Sequence, residues 1–145
     1  MKPSVLSINI SEKKGVIKTP IEQGKFIENH GLENDAHSGN WHRQVSLLAI
    51  ESYDKLNLPE RLPIGSFAEN ITTQGIELHT LPIGTILTIG DVILKVTQIG
   101  KKCHTACEIK FLVGDCVMPK EGIFAEVLQT GTIKTNDIIK VGDSN

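Results

Sequence analysis

The sequence lacks several features that would assign it to a membrane, secreted or nucleic-acid-binding class. No apolar stretch approaches the ~20 residues that a membrane span requires, and residues 1–15 contain no apolar segment of the kind found in secretory signals. The formal net charge is only −2, from 15 basic and 17 acidic residues, so no overall positive field favours nucleic acid. We therefore expect a cytoplasmic protein with no membrane or nucleic-acid partner.

Cysteines are also few, and they are unevenly placed. Cys103, Cys107 and Cys116 all lie between residues 103 and 116. An odd number of closely spaced cysteines does not indicate the disulfide framework of a secreted scaffold. In a reducing compartment, such a cluster indicates metal binding, covalent chemistry or buried structural thiols.

The rest of the composition is that of an ordinary globular protein. Hydrophobic residues make up 39% and charged residues 22% of the 145 positions, unlike the polar composition of disordered chains. This length is typical of one domain, and no linker or low-complexity segment divides the chain. We predict a single domain over residues 1–145.

Short alternating apolar segments predict a mainly β protein. Residues 5–10, 44–48 and 67–73 have the spacing of strands, and residues 85–89 and 92–96 flank a Gly-Asp turn as in a β-hairpin. Many short strands separated by Gly and Asn turns indicate a closed or nearly closed β-barrel rather than a parallel α/β sheet.

A few further elements complete the prediction. Residues 49–56 and 119–128 have helical apolar spacing with prolines near their ends, so we predict short helices that cap the barrel. Residues 131–141 repeat the pattern of residues 84–96 and predict a second hairpin. Residues 24–42 have little apolar periodicity and predict a long ordered loop, which in compact domains tends to carry function.

The cysteine segment is the first candidate site. Cys103 follows the second strand of the first hairpin, at a strand exit where barrel-mouth sites usually collect their ligands. Lys101 and Lys102 precede it, and nearby positive charge favours the thiolate over the thiol. A thiolate attacks persulfides and binds soft metals.

Three interpretations of the cysteines remain open. Free cysteines are among the most buried residues, which suits Cys116 with its apolar neighbours. Structural zinc would use Cys103, His104, Cys107 and Cys116, but adjacent ligands and a lone cysteine do not match the paired spacing of ordinary zinc modules. The third interpretation is a single thiolate that ligates a metal or carries transferable sulfur.

The loop at residues 31–44 is the second candidate site. Its Gly and Asn residues, Gly39 among them, allow positive φ and expose backbone N–H groups that can bind an anion. Arg43 adds a planar bidentate donor for phosphate or carboxylate. Asp35 and His37 can orient each other as acid and base; alternatively, Asp35 caps a turn and the loop histidines are simply exposed.

Glu69 and Asn70 form a third candidate site, because a charged residue inside an apolar strand is unusual. A buried charge without a partner is costly, so we expect Glu69 to pair with Arg43 or to cap loop amides. Asn70 can then hydrogen-bond a ligand. The alternative is a structural salt bridge that holds the long loop.

Five segments in chain order resemble the successive motifs of the MOSC domain, named for the C-terminal part of molybdenum cofactor sulfurase. They are GLENDAHSG, RQVSLL, FAENITTQGI, LPIGTILTIGD and VTQIGKKCH, and the resemblance runs from about residue 4 to residue 142. The segment CHTACEIKFLVGDCVMPKEGIFAEV is similar to small stand-alone bacterial members that accompany molybdopterin biosynthesis proteins.

The resemblance implies a β-barrel with small helical additions that binds the molybdenum cofactor. It implies that Cys103, or Cys107 in a shifted register, is the sulfur carrier or the molybdenum ligand. Asn34 and Ala68 stand where the family motifs have glycine, and asparagine tolerates the left-handed conformation better than most residues. We expect no pyridoxal phosphate in this chain, so sulfur or finished cofactor would come from a partner.

The leading hypothesis is therefore a molybdenum-cofactor-binding or sulfur-carrier module. Arg43, His37 and loop amides would bind the pterin phosphate, while Cys103 faces the metal or carries a persulfide. Expected partners are a sulfur donor, molybdopterin biosynthesis proteins or molybdoenzymes. If catalytic, the protein would be a sulfurtransferase or a molybdenum-dependent reductase of N-hydroxylated compounds. The alternative from another class is a non-enzymatic, zinc-stabilised binding domain.

Overall fold

A computed structural model describes residues 2–14, 16–55, 59–100 and 121–144. Over these residues the chain is mainly β, which confirms the predicted fold class. The strands are β1 (Ser4–Ile10), β2 (Thr19–Ile21), β3 (Gln23–Ile27), β4 (Gly31–Leu32), β5 (Val45–Ala49), β6 (Ile71–Gln74), β7 (Thr85–Ile89), β8 (Val92–Ile99), β9 (Ile123–Gln129), β10 (Gly131–Lys134) and β11 (Ile139–Ser144). One α-helix, α1 (Ile50–Asp54), and a 3-10 turn at Leu78–Thr80 accompany these strands.

The strands form two sheets. The larger has eight strands in the order β11-β7-β8-β9-β5-β6-β1-β2, and the smaller has the order β10-β3-β4. All pairs are antiparallel except β5 with β6, which are parallel. The predicted hairpin of β7 and β8 is confirmed: it pairs Ile89 with Val92 around a turn in which Gly90 has φ +59°.

Strand β5 lies in the middle of the larger sheet and positions the site. All five of its residues are buried, as expected for a strand covered on both faces, which reads as a continuous apolar run. It pairs with β6 on one side and β9 on the other. The loop that ends at Gln44 and the helix that begins at Ile50 are therefore attached to opposite ends of one rigid strand.

The predicted closed barrel is not confirmed. Within the described residues, neither sheet returns to its first strand. The chain around the start of β1 does approach the chain around the start of β11: residues 3–5 exchange three backbone hydrogen bonds of 2.7–2.9 Å with residues 136–139. Ser4 also forms an isolated bridge with Ile138. These contacts join β1 to the chain just before β11, but they do not form a continuous ladder.

Two local predictions were wrong. The described part of the predicted helix at 119–128 contains β9, because Ile123, Ala125 and Val127 turn to the core between β5 and β8. The predicted hairpin at 131–141 does not form, since β10 pairs with β3 and β11 pairs with β7. In both cases, long-range pairing outweighs the local pattern.

The predicted loop at 24–42 is also partly wrong, because it contains β4 and nearly all of β3. These strands pair with each other, and β3 also pairs with β10. Phe26 and Leu32 from these strands are buried in the main core. The irregular part of the segment is therefore restricted to the turn at residues 28–30 and to residues 33–42.

A second, smaller core lies beside α1. It consists of Leu48, Ile50, Tyr53, Phe67, Ala68 and Phe124. The rings of Tyr53 and Phe67 meet edge to face at 4.9 Å and 87°, a favourable aromatic geometry. This core packs against the chain that leads into β6. One of its residues, Phe124, also lies beside Arg43 in the candidate site.

The segment before β6 crosses close to the segment before β2 at Gly65. The Lys18 N–H donates to the Gly65 carbonyl at 2.9 Å, and the Gly65 N–H donates to the Tyr53 hydroxyl at 3.0 Å. Gly65 has φ +93°, and a Cβ there would collide with the Lys18 carbonyl oxygen. Both the backbone conformation and the close approach therefore require glycine.

We predict that Gly65→Ala lowers the free energy of unfolding by about 2 kcal/mol or more, through left-handed strain and the displaced Lys18 backbone. Urea denaturation measures the change. Gly142→Ala is the control, because Gly142 lacks a positive φ and an added Cβ would meet Ile86 at ordinary contact distance. Equal, small effects of the two substitutions would contradict the crossing.

Candidate functional site

The cysteine segment connects two paired strands. Residues 101–120, which include Lys101, Lys102, Cys103 and Cys107, lie outside the described residues. Their flanks are described: Ile99 of β8 pairs with Ile123 of β9, and the Gly100 N–H donates to the Gly122 carbonyl at 2.6 Å. Both ends of the segment are therefore held at one point of the sheet.

Asp35 anchors the loop at residues 33–44 to the β1–β2 connection. Its Oδ1 accepts from Lys18 Nζ at 2.8 Å and from the Ser11 N–H at 3.0 Å. Its Oδ2 accepts from the His37 N–H at 3.0 Å. The side chains of Lys18 and Asp35 are both fully buried, so this ion pair replaces water as the partner of each charge.

The electrostatics agree with a structural role for Asp35. Burial by itself would raise the pKa of Asp35, but the hydrogen bond and charge of Lys18, the nearby Asn70 amide and the His37 N–H outweigh it. Together they hold the pKa of this carboxyl below its ordinary value of 3.8. Asp35 is therefore an ionised anchor at neutral pH. The predicted turn cap by Asp35 is present, in the bond from the His37 N–H.

The His37 ring lies beside Asp35, but its Nδ1 is beyond hydrogen-bonding distance of the carboxylate. Nδ1 is 3.9 Å from Asp35 Oδ2, and the His37 carbonyl accepts a hydrogen bond from Trp41 Nε1 at 2.8 Å. The pairing of Asp35 and His37 as acid and base therefore remains a prediction. The backbone contact with Trp41 fixes where the loop turns back toward β5.

Arg43 lies at the end of this loop between two aromatic rings. Its Cζ is 4.7 Å from the Trp41 ring centroid and 5.6 Å from that of Phe124, within the range of cation–π attraction. Lys14 Nζ is also over the Trp41 ring, at 4.9 Å. Within the described chain, the Arg43 guanidinium has no hydrogen bond or ion pair, and its buried Nε lacks a partner.

The backbone N–H groups of the loop divide into two sets. Those of residues 35–39 are all hydrogen-bonded inside the protein; the Gly39 N–H, for example, donates to the His30 carbonyl at 2.7 Å. Those of Asn40, His42 and Arg43 have no partner in the part of the chain that the structure describes. The N–H groups available to an anion therefore lie beside Arg43, later in the loop than the glycine motif.

The same end of the loop is joined to the end of β8. The His42 Nε2 lies 2.9 Å from Gln98 Oε1, and the Thr97 hydroxyl donates to the His42 carbonyl. The Gln98 amide also donates to the Gly100 carbonyl at 2.7 Å. These hydrogen bonds connect the end of the loop, which carries Arg43, to Gly100, the last described residue before the cysteine segment.

Glu69 is completely buried and belongs to a network of neutral groups. Its Oε2 accepts from the Tyr53 hydroxyl at 2.6 Å and the Thr72 hydroxyl at 2.8 Å, and its Oε1 accepts from the Phe67 N–H at 3.2 Å. Among the described residues, it forms no pair with Arg43. The amide that Glu69 caps is that of Phe67, in its own turn rather than in the loop at residues 31–44, and the described residues provide no salt-bridge partner for it.

Burial raises the pKa of Glu69 despite the hydrogen bonds from Tyr53 and Thr72, which favour the carboxylate. Burial also raises the pKa of Tyr53, and the neighbouring Glu69 adds to the effect. The Tyr53 hydroxyl therefore keeps its proton and remains a donor. Glu69 holds the chain between Gly65 and β6 in place from within.

Asn70 is also fully buried, and its side chain joins β1 to β5. Its Oδ1 accepts from the Ser46 N–H at 3.0 Å, and its Nδ2 donates to the Asn9 carbonyl at 3.4 Å. Asn9 in turn donates to the Glu69 carbonyl and to Thr72. Ligand binding by Glu69 or Asn70 stays a prediction, and the contacts described here are structural.

The two residues that replace family glycines keep a glycine-like backbone. Asn34 has φ +69° and Ala68 has φ +63°. Asparagine adopts this region at low cost, whereas alanine does so with strain. The turn before Glu69 therefore survives the replacement of glycine, supported by the hydrogen bonds of Tyr53 and Glu69.

Sequence reasoning missed several of these residues. Lys18 stood alone in its segment, and Tyr53 was visible only as an apolar position of a helix. Gln98 gave no signal, because one glutamine near a strand end is common. Lys18 gave no signal either, because the burial of Asp35, which favours a cationic partner, is not visible in the sequence.

The described residues contain no group of three or more His, Cys, Asp or Glu side chains that could hold a metal ion. None of their helices is long and apolar enough to cross a membrane. A cavity of about 290 Å³ is lined by Ala49, part of α1, Ile76, Glu77, His79 and Glu121. It lies at the end of β5 opposite to Arg43 and is separate from the loop site.

Comparison with known proteins places the chain in a structural context. The family model for the MOSC domain matches residues 34–144. The YuaD protein from Bacillus subtilis has a similar structure, with a TM-score of 0.80 and 19% identity over 97% of this chain and 96% of that one.

YiiM from Geobacillus stearothermophilus has a TM-score of 0.75 and 20% identity, over 97% of this chain and 75% of that chain. YiiM from Escherichia coli has a TM-score of 0.73 and 17% identity, over 100% and 71%. No curated protein sequence matches the chain. At these identities, the solved structures show a shared fold.

We predict that Lys18→Met lowers the free energy of unfolding by about 3–5 kcal/mol, because it leaves Asp35 buried without its cation. Adding Asp35→Asn should recover part of the loss, since the remaining side chain is neutral. Arg61→Met is the control, because Arg61 pairs with Asp54 at an exposed position and such pairs contribute under ~1 kcal/mol. A loss no larger than that of the control would show that Asp35 is not a buried anchor.

A second prediction concerns pH. The folded-state pKa of Glu69 lies above its ordinary value of 4.5, so from that pH upward the folded protein binds more protons than the unfolded chain and loses stability. Glu69→Gln should flatten this decline, which is measured as the free energy of unfolding between pH 4.5 and 8. The variant should also be less stable than the wild type at every pH, because an NH₂ group cannot accept the Phe67 N–H. The exposed Glu60→Gln should keep the wild-type slope. A wild-type slope in Glu69→Gln would refute the assignment.

Proposed function

The chain belongs to the MOSC domain family, and from this we propose that it binds the molybdenum cofactor and acts in its maturation or delivery, with Cys103 as sulfur carrier or metal ligand. The family is associated with binding of this cofactor.

The observation that carries the proposal is that the Arg43 guanidinium has no hydrogen bond or ion pair to the described residues. Arg43 is half-buried, and its buried Nε lacks a partner among the described residues, which is costly. An anionic ligand between Trp41 and Phe124 would supply that partner. The planar fork of arginine suits the two oxygens of a phosphate. The backbone N–H groups of His42 and Arg43, which have no partner among the described residues, are further hydrogen-bond donors for an anion beside the guanidinium.

The cofactor carries a phosphate, and the residues present therefore fit this part of it. His37 is the second side chain that we assign to the phosphate, from its place in the same loop. Asp35, Glu69 and Asn70 act as positioning residues: the first holds the loop through Lys18, and the other two hold the neighbouring turn from inside. Gly39 contributes its turn, since its N–H is already bonded.

Cys103 is assigned to the reactive end of the cofactor by its place along the chain. It follows Gly100 by three residues, a span of at most about 11 Å when fully extended. Gly100 is bonded to Gln98, which contacts His42 beside Arg43. Lys101 and Lys102 would favour the thiolate, and Cys107 is the alternative in a shifted register.

When bound, the cofactor supplies a metal centre that can take a thiolate ligand and transfer sulfur or oxygen atoms. The protein supplies a fixed anion site, a thiolate and a scaffold that holds the two together. Sulfur or finished cofactor would come from a sulfur donor or from molybdopterin biosynthesis proteins, and molybdoenzymes are possible recipients. Reduction of N-hydroxylated compounds is the enzymatic alternative for the same site.

We predict that protein purified from a host able to make molybdopterin contains pterin, and that Arg43→Ala lowers the pterin retained by about tenfold or more, because a charge-assisted bidentate contact is lost. Fluorescence of the oxidised pterin measures it. Arg61→Ala, which removes an arginine at an exposed ion pair, should retain the wild-type amount.

Cys103→Ser should retain pterin but lose metal or transferable sulfur, whereas Cys116→Ser should behave as wild type. Elemental analysis and sulfide release distinguish these cases. Equal pterin in the two arginine variants would contradict the role of Arg43. Stoichiometric zinc without pterin, with unfolding when zinc is removed, would favour the zinc-stabilised alternative.

A further inference from the structure

The Trp41 ring is the point where two distant parts of the chain bring positive charge together. Lys14 Nζ is 4.9 Å and Arg43 Cζ is 4.7 Å from the centre of this ring. Lys14 belongs to the connection between β1 and β2, whereas Arg43 lies at the end of the loop before β5. The two charges are therefore at most about 10 Å apart, no farther than the ~10 Å Debye length of 0.1 M salt, so they act on the same surroundings.

The two segments meet because they are bonded to each other on both sides of the buried ion pair. The Ser11 N–H donates to Asp35 at 3.0 Å, and the Ala36 N–H donates to the Ser11 carbonyl at 2.9 Å. Lys18, at the other end of the β1–β2 connection, pairs with the same Asp35 at 2.8 Å. The indole is fixed as well, because its Nε1 donates to the loop backbone at 2.8 Å. The two cations are therefore brought to one ring by the fold.

Neither cation has an acidic partner in the part of the chain that the structure describes. The ion pairs found there involve other residues. Like charges held near each other without a counterion repel, and a cation–π contact at an exposed position offsets this only in part. An anion beside the ring would be attracted by both charges. Because Coulomb attraction grows with the charge of the anion, this arrangement favours a dianion over a monoanion.

We infer that Lys14 is a specificity-determining residue of the anion site. Together with Arg43, across the Trp41 ring, it selects a phosphate monoester, which carries close to two negative charges at neutral pH, over an anion of the same shape with one charge. The inference rests on the proposed function, since it takes Arg43 as the residue that binds phosphate. It also goes beyond that function, because Lys14 lies outside the loop motif and outside the residues that the family model matches.

The test compares two probes, phenyl phosphate and phenyl sulfate, which have nearly the same shape but carry two charges and one charge at pH 8. Titration calorimetry gives the affinity for each. Lys14→Met should weaken phenyl phosphate binding about five- to tenfold and phenyl sulfate binding about two- to threefold, because the lost Coulomb energy scales with the charge of the probe. The wild-type preference for phenyl phosphate should therefore fall about two- to threefold.

Lys13→Met is the matched control, because it removes the same charge from the neighbouring exposed position, which has no described contact with the Trp41 ring. It should keep the wild-type preference, and so should Lys14→Arg, which retains the charge. A variant that only distorted the β1–β2 connection would weaken both probes by the same factor. Trp41 is the one tryptophan of the chain, so its fluorescence should change as phenyl phosphate binds beside it.

The outcomes separate the two proposals. An unchanged preference in Lys14→Met, or a change no larger than that in Lys13→Met, would overturn the inference, as would phenyl phosphate binding that leaves the Trp41 fluorescence unaltered. The proposed function would still stand if the wild type retains pterin and Arg43→Ala loses it. Absence of binding of both probes to the wild type would also overturn the inference, and the pterin content of Arg43→Ala would then decide the proposed function separately.

Discussion

A loop without regular secondary structure keeps one conformation only if its polar groups find partners inside the protein. In this chain the buried ion pair of Lys18 and Asp35 meets that requirement. Asp35 also accepts the N–H groups of Ser11 and His37, so one carboxylate joins the β1–β2 connection to the loop before β5. The position of Arg43 depends on this anchor, because the loop has no ladder of its own between Leu32 and Val45.

Around this anchor, the protein separates groups that are satisfied from groups that are not. Glu69, Asn70, Tyr53 and the N–H groups of residues 35–39 are all bonded internally. Arg43 and the N–H groups of its immediate neighbours are not, within the described residues. This contrast is what distinguishes a binding surface from a structural network. For this reason we propose that the anion site lies at the end of the loop, next to β5 and the exit of β8.

The sequence predicted the parts of this arrangement that depend on local pattern. The β7–β8 hairpin, β1 and β5 follow from alternating or continuous apolar residues, and Arg43 and Asp35 were recognised as polar residues with a role. The long-range pairings were not accessible: β9 has a helix-like apolar spacing, and only its position between β5 and β8 makes it a strand. The partners of Asp35 and Glu69 were missed for the same reason, since Lys18 and Tyr53 are 17 and 16 residues away along the chain. The closed barrel was predicted from the many short strands with their Gly and Asn turns and from the family resemblance, whereas closure depends on the stagger of the strands.

The central claim is that this member of the MOSC family holds the molybdenum cofactor at Arg43 and presents Cys103 to it. The most direct measurement is native mass spectrometry of the intact protein isolated from cells that make molybdopterin. The account predicts one cofactor per chain, seen as a mass increase that disappears on denaturation unless Cys103 retains sulfur or metal. A protein that carries only zinc, or no added mass while molybdopterin is abundant in the same cells, would contradict it.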